Sequence, residues 1–179
     1  MPADEAQARE HPHEDWAVRL SLVRAKAPVS TEKENMAPRV AASRRYAPLN
    51  PDCIVCGARN PKGLQLQFHM GECGVDAAWT PAKGWESFRG TVHGGIVSAV
   101  LDEAMSKAVI ARDWEALTVD LRVRFRTRVI PGETLHVHGW VVERHNRKIV
   151  AEATLVTASG VERAHGWGVF LMLRPGVTT

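Results

Sequence analysis

The residues best suited to chemistry lie in one segment, FRGTVHGGIVSAVLDEAMSKAVIA, residues 88–111. It places a His-Gly-Gly triplet, residues 93–95, ahead of a long apolar stretch with Asp102 and Glu103 in its middle. The N-terminus of a helix offers unpaired backbone N–H groups, and glycines let a ligand approach them closely. The triplet therefore predicts an oxyanion or phosphate site. A tight turn that starts a helix is the alternative, because glycines serve it equally well.

The segment after the triplet predicts one long helix. Residues 95–111 contain no proline and no internal glycine, and this length suits a helix rather than a strand. Asp102 lies on the side opposite the apolar arc with Ser98 and Ser106, and Glu103 lies about 100° further round. These polar residues face either water or a closely approaching surface, since serines and alanines replace the usual lysines and glutamates. The apolar arc consists of Val97, Val100, Leu101, Ala104, Met105 and Ala108.

Two strands are predicted before this helix. In residues 64–68, leucine and phenylalanine alternate with glutamine, which is typical of a half-buried strand. GECG then predicts a turn and residues 75–80 a second strand, so that the two form a hairpin. Residues 81–90 are expected to be a loop.

Four strands are predicted after the helix, arranged as a meander. In LTVDLRVRFRTRV, residues 117–129, Val119, Leu121, Val123 and Phe125 form a dry face, and Asp120 and the arginines a wet one. TLHVHGWVVE, KIVAEATLVTA and VERAHGWGVFLML supply the other three strands. The predicted fold class is α+β, an antiparallel sheet wrapped around one long central helix.

The first 49 residues differ in character from the rest and are predicted to form an N-terminal arm, partly helical or disordered. Trp16, Leu20 and Val23 have the spacing of a docking helix over about 14–27. The main domain is predicted to span residues 50–179.

Composition excludes several classes of protein. The net charge of +3, from 23 basic and 20 acidic residues, is too balanced to indicate nucleic-acid binding. No apolar run approaches the roughly 18–20 residues of a membrane span, and the acidic, polar N-terminus does not resemble a secretory signal. Three cysteines, an odd number, favour a reducing compartment, so we expect a cytoplasmic protein.

Three motifs together resemble the hotdog-fold acyl-CoA thioesterases, specifically the phenylacetate-pathway type. They are CIVCGARNPKGLQLQF, GTVHGGIVSAVLDEAM and LTVDLRVRFRTRV, and the resemblance covers about residues 50–173. It implies the hotdog fold and the hydrolysis of small to medium acyl- or aryl-CoA thioesters to free acid and CoA. It implies no cofactor and no metal.

The resemblance also implies roles for individual residues. Asp102 corresponds to the catalytic carboxylate, which activates water or attacks the thioester carbonyl directly. The backbone N–H of Gly94 corresponds to the oxyanion donor, and Thr118 to the hydroxyl residue that positions the water or the carboxylate. His93 and Gly95 belong to the substrate-binding motif. Glu103 has no role in the resemblance.

Ser87, the remaining expected substrate-binding residue, departs from the family pattern. Many relatives have asparagine or glutamine several residues before the motif histidine, where its side chain contacts the carbonyl oxygen. Serine is shorter, so either the Gly94 amide acts nearly alone or another group substitutes.

Geometry adds an expectation about assembly. Gly94 and Asp102 are eight residues apart, which along a helix is about 12 Å. A carboxylate and an oxyanion donor that serve one carbonyl must both lie within roughly 3–3.5 Å of the reacting atoms. We therefore expect a homodimer with two shared sites, which could assemble further into a homotetramer.

Three further patterns each allow a functional and a structural interpretation. Cys53, Cys56, His69 and Cys73 have zinc-ligand spacing, but His69 ends a predicted strand, and CIVCG matches a family loop that is not a known metal site. The strand arginines either contact CoA phosphates or simply coat a solvated face. Trp85 and Phe88 either border an acyl pocket or anchor the core. A non-catalytic acyl-CoA sensor on the same fold is the alternative function.

Overall fold

The computed structural model describes residues 50–71 and 74–173. Before the helix lie β1 (His69–Met70), β2 (Val75–Trp79), a short 3-10 helix (Lys83–Trp85), β3 (Glu86–Phe88) and β4 (Thr91–Val92). The helix α1 (Gly94–Ile110) follows. After it come β5 (Ala116–Phe125), β6 (Leu135–His145), β7 (Lys148–Thr157) and β8 (Glu162–Met172).

The six-stranded sheet packs on α1 and covers its apolar side. Six strands pair antiparallel in the order β1-β2-β6-β7-β8-β5, and β3 and β4 form a separate two-stranded sheet. The whole predicted apolar arc of α1 is buried. The α+β prediction of an antiparallel sheet around one long helix is confirmed.

Glycines on the inner face of the sheet let α1 approach closely. A Cβ at Gly139 of β6 would collide with the backbone oxygen of Ala104, and one at Gly166 of β8 would lie 3.1 Å from Leu101 Cβ. Ordinary side chains at these two positions would force the helix away from the sheet. The position of α1, and of the acids on it, therefore depends on these residues.

Strand β5 carries a bulge that changes which residues face the helix. Thr118 pairs with Phe170, but Asp120, not Val119, pairs with Val169, so Val119 is the extra residue. Paired residues on adjacent strands point to the same face of a sheet. Because the bulge inserts one residue, Thr118 and Leu121 lie on the same face although their spacing is odd.

The predicted dry face of β5 is only partly correct for the single chain, since Val123 packs against the core but the other three residues are exposed. Val119 is 60% exposed and Phe125 52% exposed, and Leu121 is also exposed. Two causes are visible: the bulge interrupts the alternation, and β5 is an edge strand of the six-stranded sheet.

Three predicted elements before and after the helix need correction. Residues 64–68 alternate in burial as predicted but form no strand, because Gln65 has a φ of 52° and the N–H groups of Leu64 and Leu66 bond to the carbonyls of Ile54 and Val55. Residues 81–90, predicted to be a loop, contain the 3-10 helix and β3. The four-strand meander is also wrong, since β5 pairs with β8 and only β6-β7-β8 follow one another.

The predicted arm over residues 1–49, with its helix at 14–27, lies outside the described residues, as does Cys73. The 75–80 strand, the 95–111 helix and the three last strands are confirmed within one or two residues; the largest difference is in β6, which extends two residues past the predicted segment. In the described part of the chain, no helix has the length and hydropathy that a bilayer crossing requires.

Candidate active site

His93 caps the N-terminus of α1 and leaves one backbone donor open. Its Nδ1 accepts a hydrogen bond of 2.9 Å from the Gly95 N–H, and its own N–H donates to the Trp85 carbonyl at 2.7 Å. The Gly94 N–H has no hydrogen-bond partner among the described residues. It therefore remains available to a ligand oxygen at the positive end of the helix.

A cavity of about 430 Å³ lies beside Gly94. Gly94 and Phe125 both line this cavity, and they lie close together: a Cβ at Gly94 would be 3.3 Å from Cζ of Phe125. Ser87 lies in the same wall, so the structure brings these two predicted residues together. The other lining residues are Phe88, Thr91, Val92, Val97, Phe125, Arg126, Thr127, Arg128 and Val129.

Asp102 lies in the middle of α1 and is held by Thr118 of β5. The Thr118 Oγ1 donates a hydrogen bond of 2.9 Å to Asp102 Oδ1. Burial raises the pKa of Asp102 and the negative charge of Glu103 raises it further, whereas the Thr118 hydrogen bond acts in the opposite direction. The result is a half-buried carboxylate that is a stronger base than an exposed aspartate.

The bulge in β5 makes this hydrogen bond possible. In a regular strand Thr118 would share the wet face of Asp120 and the arginines, as the sequence pattern indicates. The register shift after Thr118 separates it from that face, and Thr118 instead points inward with Phe170. Bulges commonly re-aim a side chain beside a functional site.

The predicted site residues therefore form two separate groups within one chain. Gly94 and Ser87 line the cavity, whereas neither Asp102 nor Thr118 does. Gly94 and Asp102 lie on one helix, and eight residues of helix rise about 12 Å. His93 and Gly95 are exposed at the start of the helix.

Glu103 does not face water. Its side chain is 16% exposed and its Oε1 lies 3.4 Å from Nζ of Lys107, which is itself only 4% exposed. Its Oε2 accepts a hydrogen bond of 3.9 Å from Cys53 Sγ. Burial, followed by the hydrogen bond with Glu103, raises the pKa of Cys56 to about 12. The i,i+4 spacing of Glu103 and Lys107 is the sequence signal that indicates this pair.

Some of the aromatic and basic residues line the cavity, and others have structural roles in the core or on the surface. Phe88 borders the cavity, whereas Trp85 packs partly against the core. Arg126 and Arg128 also line the cavity. Arg122 instead stacks over Trp167, with its Cζ 5.1 Å from the ring centroid.

The chain matches a known family model over the segment that holds this site. Residues 89–164 match the model described as Thioesterase superfamily. This confirms the resemblance to the hotdog-fold thioesterases. The match includes Gly94, Asp102 and Thr118 and covers less than half of the chain.

Solved structures of the thioesterase superfamily share the fold. One superfamily protein is 22% identical, with a TM-score of 0.66 over 94% of this chain and 81% of its own. A hypothetical thioesterase from Streptococcus pneumoniae TIGR4, solved with coenzyme A, is 14% identical, with a TM-score of 0.56 over 58% of this chain and 81% of its own. The PaaI protein of the E. coli phenylacetic acid degradation operon is 19% identical, with a TM-score of 0.54 over 57% and 78%.

The pneumococcal protein also has two matching variant structures, in which an aspartate and a threonine sixteen positions apart are each replaced by alanine. One curated relative, an uncharacterised mitochondrial protein of Candida albicans (strain WO-1), is 34% identical over 70 residues. That match spans 38% of this chain and 31% of the relative, less than a third of its length.

Proposed function

We propose that the protein hydrolyses small to medium acyl- or aryl-CoA thioesters to the free acid and CoA. The observation that carries the proposal is the pairing of an open Gly94 N–H beside a cavity with a half-buried Asp102 held by Thr118. An oxyanion donor and a general base are the two groups that thioester hydrolysis requires. Both lie in the segment that matches the thioesterase superfamily.

The proposed reaction begins with the thioester carbonyl oxygen accepting a hydrogen bond from the Gly94 N–H. Asp102 removes a proton from a water molecule, and the hydroxide forms a bond to the carbonyl carbon. The negative charge that develops on the oxygen is stabilised by Gly94 and the positive end of α1. The C–S bond then breaks and CoA leaves as the thiolate, which is protonated from Asp102 or solvent. Direct attack by Asp102 on the carbonyl is the other route.

The spacing of the two groups supports a shared site. Asp102 and Gly94 of one chain are too far apart to act on one carbonyl, so Asp102 must come from a second subunit. The edge strand β5 exposes Leu117, Val119 and Phe125, apolar residues that a partner would cover. The protein is therefore proposed to act as a homodimer, with a dimer of dimers as a further assembly.

One similar protein supports CoA as the ligand and Asp102 as the catalytic carboxylate. The pneumococcal relative was solved with coenzyme A. The aspartate and threonine altered in that protein have the same separation as Asp102 and Thr118. Arg128 in the cavity wall supplies positive charge for the CoA phosphates, whereas Arg126 is paired with Glu162 at 3.0 Å.

A thiol-release assay with a panel of acyl- and aryl-CoA thioesters tests the proposal. We expect turnover of at least one small to medium substrate, with free CoA and free acid formed in equal amounts. The same panel is measured for binding by calorimetry. Binding without turnover would overturn the hydrolase assignment and favour an acyl-CoA sensor, for which Ser87 in place of an amide side chain is the motivating observation. The proposed compartment remains the cytoplasm.

A further inference from the structure

A second cluster of reactive side chains includes Glu103, the residue that follows Asp102 in α1. The Sγ atoms of Cys53 and Cys56 and a carboxylate oxygen of Glu103 all lie within 4.8 Å of one another. Cys56 is buried and Cys53 half-buried. The proposed hydrolysis uses none of these three residues.

The loop that carries the two cysteines is folded tightly around the first sulfur. The Val55 N–H donates a hydrogen bond of 3.4 Å to Cys53 Sγ, and the Gly57 N–H donates one of 2.9 Å to the Cys53 carbonyl. A Cβ at Gly57 would collide with the Cys53 backbone. The turn thus holds the sulfurs of Cys53 and Cys56 close to each other and to Glu103.

From this arrangement we infer that Cys53, Cys56 and Glu103 bind a zinc ion, with water in the fourth position. Two sulfurs and one carboxylate oxygen suit tetrahedral Zn²⁺, and thiolates select it over hard cations. Zn–S bonds of about 2.3 Å and Zn–O bonds of about 2.1 Å separate a sulfur and an oxygen by roughly 3.6 Å. Cys53 Sγ and Glu103 Oε2 are already 3.9 Å apart.

Charge balance favours the same ion. Two thiolates and one carboxylate carry three negative charges, and Zn²⁺ with the ammonium of Lys107 neutralises them. Each cysteine releases its S–H proton to solvent as its sulfur binds the metal. Lys107 lies against Glu103 Oε1, whereas Oε2 faces Cys53, so the ion pair and a metal bond use different oxygens.

The ligand set differs from the one that cysteine and histidine spacing alone indicates. His69 is exposed on β1 and does not belong to the cluster. Glu103 of α1 takes its place, so the ion would fasten the loop at residues 53–57 to the middle of the helix. The residue next to Glu103 is Asp102, so the zinc would hold that part of α1 in place without contacting substrate.

Metal analysis of the full chain, purified without a histidine tag, tests the inference. After incubation with Zn²⁺ and gel filtration we expect about one zinc per chain in the wild type and in His69→Ala, a control for the alternative ligand set. Cys53→Ser, Cys56→Ser and Glu103→Gln are each expected to lower the zinc content at least tenfold. Circular dichroism of each variant establishes that it is folded.

A second measurement needs no variant. Cobalt(II) added to the metal-free wild type should give the intense charge-transfer absorption of a thiolate–cobalt bond, which zinc then abolishes. Wild type without zinc and without this absorption would overturn the inference. So would His69→Ala losing zinc while Cys53→Ser keeps it. None of these readouts depends on thioester hydrolysis.

Discussion

The Thr118 hydroxyl donates a 2.9 Å hydrogen bond to the Asp102 carboxylate, joining the first strand after the helix to the middle of the helix itself. The bond depends on the bulge at Val119, which turns Thr118 away from the wet face of β5. It gives the half-buried carboxylate one fixed orientation. A carboxylate oriented in this way is suited to act on a water molecule or a carbonyl.

Replacing Asp102 with asparagine should abolish most of the activity. The amide has nearly the same shape but cannot accept a proton, and a general base typically contributes about 10²–10⁴-fold to rate. We expect kcat/KM for the best CoA thioester to fall by that range. Steady-state thiol release measures it. Activity within a few-fold of wild type would remove Asp102 from the mechanism.

Two controls accompany this variant. Asp120→Asn makes the same chemical change on the exposed face of β5 and should leave kcat/KM unchanged. Because burial raises the pKa of Asp102, the folded protein favours its neutral form, so its charge costs stability above that raised pKa. Asp102→Asn should therefore have a Tm at neutral pH at least equal to that of the wild type. A Tm at or below the assay temperature would mean that the lost activity reports unfolding.

Thr118→Val should move the pH profile. The Thr118 hydrogen bond favours the charged carboxylate, so its loss raises the pKa of Asp102 further. The acidic limb of kcat/KM should shift to higher pH, with about tenfold lower activity at neutral pH. Thr118→Ser, which keeps the hydroxyl, should retain the wild-type limb. An unshifted limb in Thr118→Val would show that the hydroxyl does not act through Asp102.

Gly94→Pro and Gly94→Ala form a matched pair that isolates the backbone donor. Both add a Cβ toward Phe125, but only proline removes the N–H, and proline is tolerated in the first turn of a helix. Loss of one oxyanion donor costs about 10²–10³ in kcat. We expect the kcat of Gly94→Pro to be lower than that of Gly94→Ala by that factor in the thiol-release assay. Equal activities would exclude the Gly94 N–H as the donor.

Ser87→Asn should increase the rate. Ser87 shares the cavity wall with Gly94, and the longer amide side chain adds a donor directed at the carbonyl oxygen. An increase in kcat of several-fold, with little change in KM, is the expected result. Ser159→Asn, at an exposed turn, serves as the control. An unchanged or lower kcat would mean that the Gly94 amide already satisfies the oxygen.

Much of the fold follows from local patterns, whereas the parts that depend on tertiary contacts do not. The helix and strands β6 to β8 are predictable because burial repeats there at helical or strand period. Residues 64–68 have a strand pattern, but Gln65 adopts a positive φ, and their backbone bonds go to a loop. The order of β5 in the sheet also depends on long-range pairing with β8.

The sequence indicates some of the contacts within the candidate site and misses others. The motif indicates Gly94, Asp102 and Thr118, and the structure places Thr118 on Asp102. The bulge that makes this contact has no signal in the alternation of LTVDLRVRF, where Thr118 reads as a wet-face residue. Glu103 appears solvent-facing on a helical wheel, because the loop at residues 53–57 that covers it belongs to a distant part of the chain.

Mixing two inactive variants tests the shared site most directly. Asp102→Asn and Gly94→Pro chains are unfolded together, refolded as an equimolar mixture and assayed for thiol release. If Asp102 of one chain serves Gly94 of the other, each mixed dimer contains one intact site, and the mixture recovers roughly a quarter of the wild-type kcat per chain. If both groups act within one chain, no intact site can form. A mixture no more active than its two components would therefore contradict the account.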